Sequence, residues 1–220
     1  MDLRLARKIV EVSHLTGEFR LRSSTLSSEY FDKYQFEADP EILREIVVQL
    51  KELLPRQVDL LAGLELGGIP IVTLLSQITG VRALFVRKKA KEYGTCRLAE
   101  GGAIRGKNLV VIEDVVTSGG QIIDSVGSLR EQGAIIETAV CVIDRQAGGS
   151  GNLEKYGIEL RALFNFEDLR NASSKARLFP DRKVWIRSNQ FDWVLSLVPY
   201  ELLDSSNARR DSASALRRGF

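Results

Sequence analysis

Residues 109–121 read Leu109-Val110-Val111-Ile112-Glu113-Asp114-Val115-Val116-Thr117-Ser118-Gly119-Gly120-Gln121, and this stretch decides the fold. Four apolar residues, 109–112, form a short, fully buried strand. Two carboxylates follow at its C-terminal end, then a loop of small residues. From Gln121 the pattern turns helical, with Ile122, Ile123, Val126 and Leu129 along one face. Amide N–H groups and the positive end of the helix dipole make residues 115–121 an anion site. Gly119 and Gly120 let the chain pass close to a phosphate, and Thr117 and Ser118 add hydroxyl donors. Glu113 and Asp114 would repel a phosphate but accept strongly from vicinal sugar hydroxyls. Phosphate on the loop and hydroxyls on the acids is the chemistry of a ribose 5-phosphate. An ordinary strand-to-helix turn would account for any few of these residues, but not for thirteen in this order. No complete P-loop is present, since no Gly-x-x-x-x-Gly-Lys is followed by Ser or Thr, and no Gly-x-Gly-x-x-Gly follows a strand.

Outward from this unit, strand and helix patterns alternate. Residues 3–12 read as a helix and 20–36 as an extended aromatic segment. Asp39-Pro40-Glu41 supplies an N-cap, a first-turn Pro and an acid, opening a helix to residue 54 with Ile42, Ile46, Val47 and Leu50 on one face. Strands are expected at 58–62 and 82–86, around a helix over 69–79 that Gly80 stops. A helix over 121–132 closes at Gly133, and strands at 135–143 and 158–164 complete the pattern. This order implies an α/β fold with a mainly parallel central sheet flanked by helices, its ligands held at the strands' carboxyl ends. The acid pair, Arg145 and the Gly67-Gly68 loop all fall at such ends.

The 109–121 segment resembles the phosphoribosyl-pyrophosphate (PRPP) motif of the type I phosphoribosyltransferases: an apolar strand, two acids, two apolar residues, then Thr and small residues. Three further segments are similar to those of the orotate phosphoribosyltransferases and stand in that family's order. Gly17-Glu18-Phe19-Arg20-Leu21-Arg22-Ser23, with Ser27 and Tyr30-Phe31-Asp32-Lys33-Tyr34, resembles the N-terminal substrate segment. Phe85-Val86-Arg87-Lys88-Lys89-Ala90-Lys91-Glu92-Tyr93-Gly94-Thr95 resembles the mobile catalytic loop. Cys141-Val142-Ile143-Asp144-Arg145-Gln146-Ala147-Gly148-Gly149 resembles the Asp-Arg-x-x-Gly-Gly segment.

The resemblance implies transfer of ribose 5-phosphate from PRPP to orotate. It assigns PRPP to Glu113, Asp114, Val115, Val116, Thr117, Ser118, Gly119, Gly120 and Gln121, with the diphosphate on Arg87, Lys88, Lys91 and Tyr93 and on the Gly67 backbone of the pyrophosphate loop. Catalysis falls to Lys91 and Asp114, and orotate to Arg22, Tyr30, Phe31, Thr117 and Arg145. Because the loop reaches into a neighbouring subunit in this family, a homodimer with shared active sites is implied. Mg²⁺ is expected as cofactor through the substrate, with no dedicated metal ligands, since Mg²⁺ takes few protein ligands beside substrate phosphates. Two departures stand out. Tyr93 occupies a position where many members have His, and Gly67, in Gly63-Leu64-Glu65-Leu66-Gly67-Gly68-Ile69-Pro70, stands where some have Lys. Tyr93 can donate to a diphosphate but carries no positive charge near neutral pH; Gly67 offers only backbone groups.

The residues themselves agree with this chemistry. Four cations in five positions, Arg87, Lys88, Lys89 and Lys91, precede Gly94, Gly101 and Gly102, as in a flexible basic loop. Such a run is otherwise a solvated face or a nucleic-acid patch. Closing it over a leaving diphosphate would stabilise the developing charge and exclude water. Arg145 can clamp a planar acceptor edge bidentately, as Lys cannot; otherwise it is a strand-end Arg paired with Asp144. Tyr30 and Phe31 are either pocket wall or core.

At 220 residues the chain can bury a full α/β core, and its 44% hydrophobic and 27% charged composition is that of a soluble globule. A net charge of +2 gives no reason to expect nucleic acid. Cys96 and Cys141 are too few for a disulfide framework or zinc site, in keeping with the cytoplasm. No secretory or membrane-spanning run is expected, and His14, the one histidine, reads as a surface or hinge residue. One domain is expected over 1–203, with an N-terminal hood over 1–37 and a C-terminal extension over 166–203, followed by a flexible tail over 204–220. Transfer to a purine instead, a PRPP-sensing regulator without catalysis, and an RNA-binding protein are the competing readings.

Overall fold

The 109–121 stretch forms the centre of a six-stranded sheet and the helix that crosses over from it. The computed structural model describes residues 2–20, 26–89 and 98–174. In chain order the elements are α1 (Leu3–Ser13), β1 (His14–Arg20), β2 (Leu26–Phe31), α2 (Lys33–Ala38), α3 (Pro40–Leu50), β3 (Leu60–Leu64) and α4 (Gly68–Thr79). Then come β4 (Arg82–Val86), β5 (Ala99–Glu100), β6 (Asn108–Val116), α5 (Gly120–Glu131), β7 (Ile135–Asp144), α6 (Gly149–Glu154), β8 (Glu159–Asn165) and α7 (Phe166–Ser174). The main sheet runs β5-β4-β3-β6-β7-β8, and β1 and β2 form a separate hairpin. Every pair in the main sheet is parallel except β4 with β5.

Parallel strands flanked by neighbours and covered on both faces must be apolar on both sides, which the 109–112 run satisfies. On one face Leu61, Val110, Ile112, Val140 and Val142 pack with Leu5, Ile9, Ile46, Leu50, Ile71 and Leu75 of α1, α3 and α4. On the other, Leu60, Ala62, Val111, Ala139 and Cys141 meet Ile122, Val126 and Leu129 of α5. Each such Leu or Ile side chain contributes about 1.5–3 kcal/mol relative to exposure, so this double layer carries most of the fold's stability.

Several expected boundaries shift, each for a local reason. β6 runs past Ile112 to Val116 because β7 accompanies it, pairing Glu113 with Cys141 and Val116 with Asp144. The two acids therefore lie inside the strand and not beyond its end. The extended segment expected over 20–36 stops at Phe31. Asp32 then caps α2 by accepting from the Tyr34 N–H at 3.1 Å. Asp39 caps α3 through the Glu41 and Ile42 amides, as expected, but that helix ends at Leu50 and passes into a 3-10 turn at Lys51–Leu53. The edge strand β5 and the helices α6 and α7 had no periodic signal long enough to read. Cys96, residues 177–203 and the tail over 204–220 lie outside the described residues. Among the described residues no helix is long and apolar enough to cross a membrane.

Candidate active site

β6 delivers its C-terminal end into a turn that only glycine allows. Gly119, at φ +78°, occupies the left-handed region and caps α5 with no side-chain hydrogen bond. The first-turn amides of α5 are thus left for a ligand. Thr117 and Ser118 are exposed beside them, and Asn152 of α6 braces the turn by donating to the Ser118 carbonyl at 3.1 Å. Across a cavity of about 490 Å³, Arg87 and Lys88 face Gly120, Gln121 and Ser125. Two cations opposite a helix N-terminus suit a polyanionic phosphate group.

The loop between β3 and α4 closes another side. Glu65 accepts the Lys88 N–H on its carboxylate at 2.5 Å, while its carbonyl accepts from the Gln121 side chain at 3.0 Å. Its N–H donates to the Val86 carbonyl at 2.9 Å. One residue thereby ties this loop, the end of β4 and the start of α5 together. Gly67 lies two residues on, and a Cβ there would overlap Asp114 Oδ2 and stand 2.8 Å from Glu37 Oε1.

Glu113 and Asp114 are buried, at 7% and 1% exposure, and so is Glu37 of α2 at 7%. Lys33, one turn before Glu37, bonds through its ammonium to Asp114 Oδ2. Asp114 Oδ1 accepts from the Val115 N–H, and Glu113 Oε1 accepts from the Asp114 N–H at 3.1 Å. Three carboxyl groups so close and so dry cannot all ionise. Burial alone would raise the Asp114 carboxyl, but hydrogen bonds from Glu113, Glu37 and Lys33 outweigh it and hold it below the ordinary range. Burial pushes Glu113 well above its ordinary value, reinforced by its bond to Asp114. Glu37 is pushed up to about 9, again by burial first and Asp114 second. The cluster therefore favours its negative charge on Asp114, beside the Lys33 ammonium, with Glu37 protonated and Glu113 biased toward its protonated form.

That arrangement has a consequence for stability. Glu37 keeps its proton in the folded state up to about pH 9, whereas the unfolded chain releases it near 4.5. Stability therefore falls as pH rises between those values, by as much as about 1.4 kcal/mol per unit. Gln has no proton to lose, so Glu37→Gln is expected to melt above the wild type by a margin that widens from pH 5 to 8.5. Melting curves across that range check it; a constant or shrinking margin contradicts the protonated state.

On the acceptor side, Arg145 follows β7 and its guanidinium carbon lies 5.9 Å from the Phe166 ring centroid. No ion pair joins it to Asp144, whose carboxylate instead accepts from the Gln146 N–H at 2.8 Å. The guanidinium is exposed, stacked and turned outward. Tyr30 and Phe31 divide as alternation along a strand requires. Tyr30 is outward and stacks on Phe19, with centroids 5.4 Å apart, while Phe31 packs against Phe36 and the core.

A phosphoribosyl transferase domain model matches residues 34–164, which span the whole parallel sheet. The Nocardioides orotate phosphoribosyltransferase is 49% identical over 169 residues, covering 77% of this chain and 94% of that protein. The Halobacterium salinarum orotate phosphoribosyltransferase is 40% identical over 71% of this chain and 89% of its own. The solved orotate phosphoribosyltransferase of Mycobacterium tuberculosis superposes with a TM-score of 0.70 at 27% identity, over 76% of this chain and 97% of that one.

This chain belongs to the orotate phosphoribosyltransferases.

As a member of that family it carries three buried or half-buried groups that sequence reasoning gave no role: Lys33, Glu37 and Glu65. Lys33 and Glu37 stand four residues apart, one helical turn, on a segment whose aromatic content had read as extended. The Asp32 cap was the available sign of a helix. Glu65 had no signal of its own, because its role depends on β4 and α5 arriving beside it. Arg22, Lys91 and Tyr93, to which the family resemblance gives substrate contacts, lie outside the described residues.

Proposed function

We propose that the chain transfers the ribose 5-phosphate of PRPP to orotate, releasing pyrophosphate and forming orotidine 5′-monophosphate. The observation that carries this reading is the near end-to-end match with a relative named for orotate transfer, at 49% identity over 94% of its length. In this reading residues 115–121 cradle the 5-phosphate and Asp114, with Glu113 beside it, holds the ribose hydroxyls. Arg87, Lys88, Lys91 and Tyr93 receive the diphosphate. Arg145 and Arg22 hold the planar acid, with Tyr30 and Thr117 at its side; Phe31 supports the wall from the core. As the bond from C1 to the diphosphate breaks, positive charge develops on the ribose, and the negative charge that the cluster keeps on Asp114 is placed to offset it.

Mg²⁺ suits this site as a passenger of the substrate. Among the described residues no group of three His, Cys, Asp or Glu side chains is placed to hold a metal. Asp114 would face the substrate-borne ion, which would supply charge neutralisation for the leaving diphosphate. The domain is read as residues 1–203 with a tail over 204–220, and the described part of that reading runs from α1 to α7. Cytoplasmic residence is part of the reading, supported by a chain with only two cysteines.

The test is release of pyrophosphate from PRPP and Mg²⁺ on adding orotate, in step with formation of the nucleotide. Binding of PRPP without release would point instead to a sensor. The family's shared loop further leads to a homodimer with composite sites. Mixing the impaired Lys91→Ala and Asp114→Asn chains at limiting PRPP should then give more activity than either alone; a mixture no more active than its components would contradict shared sites.

A further inference from the structure

Asp114 is gripped from a direction that ribose binding alone does not explain. Its Oδ2 carries the Lys33 ammonium, and Glu37, one turn along α2, turns Oε1 toward the same carboxylate above the Cα of Gly67. Glu37 Oε1 is buried and meets no donor among the described residues, so a proton of its own, shared with Asp114, satisfies it. Gly67 admits no side chain, because any Cβ would displace this carboxyl pair. A cation thus reaches the corner from α2, where the neighbouring loop offers only backbone. α2 itself starts two residues after Phe31, so the strand bearing Tyr30 and Phe31 runs straight into the helix that holds the ribose acid.

We propose that Lys33 and Glu37 are positioning residues of the donor site, which fix Asp114 for the ribose hydroxyls and lock the acceptor-side hairpin to it through α2. This rests on reading Asp114 as the ribose ligand. The charged and titratable groups facing Asp114 are Lys33 and Glu37 from α2 and Glu113 from its own strand, with Asp32 bearing on Glu37. Lys33 compensates the one charge that remains, and Glu37 supplies a directional bond that keeps the carboxylate from rotating away. Its ammonium also lies 5.3 Å from the Tyr34 ring centroid, so the lysine is held from two sides.

The test is PRPP titration of the full chain by calorimetry between pH 5 and 10, alongside steady-state kinetics. Lys33→Met is expected to weaken PRPP binding roughly ten- to a hundredfold, the scale of one charge-assisted hydrogen bond, and to raise KM for PRPP more than it lowers kcat. Removing the cation also lets the Asp114 carboxyl rise, so the acid limb of PRPP affinity should move to higher pH. Lys33→Arg should recover most of the affinity. In Glu37→Gln the alkaline decline of PRPP affinity should shrink, because one of the two raised carboxyls beside Asp114 is gone. Wild-type PRPP affinity with an unmoved acid limb in Lys33→Met would overturn the proposal, as would a wild-type alkaline limb in Glu37→Gln. Should Lys33→Met fail to fold, as judged by circular dichroism, Lys33→Arg and Glu37→Gln decide it through the same profiles. A wild-type chain that binds PRPP but transfers nothing to orotate refutes the proposed function and leaves this test standing; one that binds no PRPP refutes both.

Discussion

Replacing Lys91 with Ala is expected to lower kcat roughly a hundred- to a thousandfold while the fold melts within a degree or two of the wild type. The magnitude is that of removing one preorganised charge from a site where a leaving group develops negative charge, about 2.7–4 kcal/mol of barrier. The diphosphate must depart with several units of charge, and a closed basic loop is the group able both to receive it and to exclude water. Arg87 and Lys88, at the loop's start, already face the first turn of α5, so the loss falls on the step that completes this ring of cations. Stability should hardly change, because the two apolar layers are built from the sheet strands and the helices packed on them. Stopped-flow or steady-state turnover at saturating PRPP and orotate measures it. Unchanged turnover would remove Lys91 from the catalytic role.

Asp114→Asn is expected to weaken PRPP binding roughly ten- to a hundredfold, the scale of a hydrogen bond to a charged group. The substitution keeps the shape and deletes the carboxylate on which the cluster favours its negative charge, so ribose hydroxyls lose their strongest acceptor. Lys33 and the protonated Glu37 and Glu113 lose their common partner in the same change. Breaking a buried pair by removing one partner costs about 3–5 kcal/mol, and the partial exposure of Lys33 lets water recover some of that. The variant should therefore melt several degrees lower as well as bind PRPP poorly. Titration with PRPP alone separates the two effects, and an unaltered titration would argue against the ribose role of Asp114.

The parallel sheet was legible because its cause is local. A four-residue apolar run with helices on either side can hardly be anything but a central strand, and β6 lies there, between β3 and β7. The same holds for the Gly119 turn, whose small residues announce a backbone that side chains would obstruct. The acid pair was legible as a site but not in its charge state. Nothing near Glu113 in sequence reveals that Glu37, seventy-six positions away, shares its burial. Lys33 was invisible for the same reason: its partner Asp114 stands eighty-one residues on. Tyr30 and Phe31 read as one aromatic unit, yet a strand sends neighbours to opposite faces, so one stacks outward and the other joins the core. Contacts made by period and spacing could be read, whereas those made by chain return needed the fold.

The central claim is the identity of the acceptor, and one measurement tests it most directly. The full chain is incubated with PRPP and Mg²⁺ and offered orotate, uracil, hypoxanthine or adenine in parallel, with pyrophosphate release followed in each. The account predicts sustained release with orotate and none above the base-free control with the other three. Release with a purine in preference to orotate, or with no base at all, would contradict it.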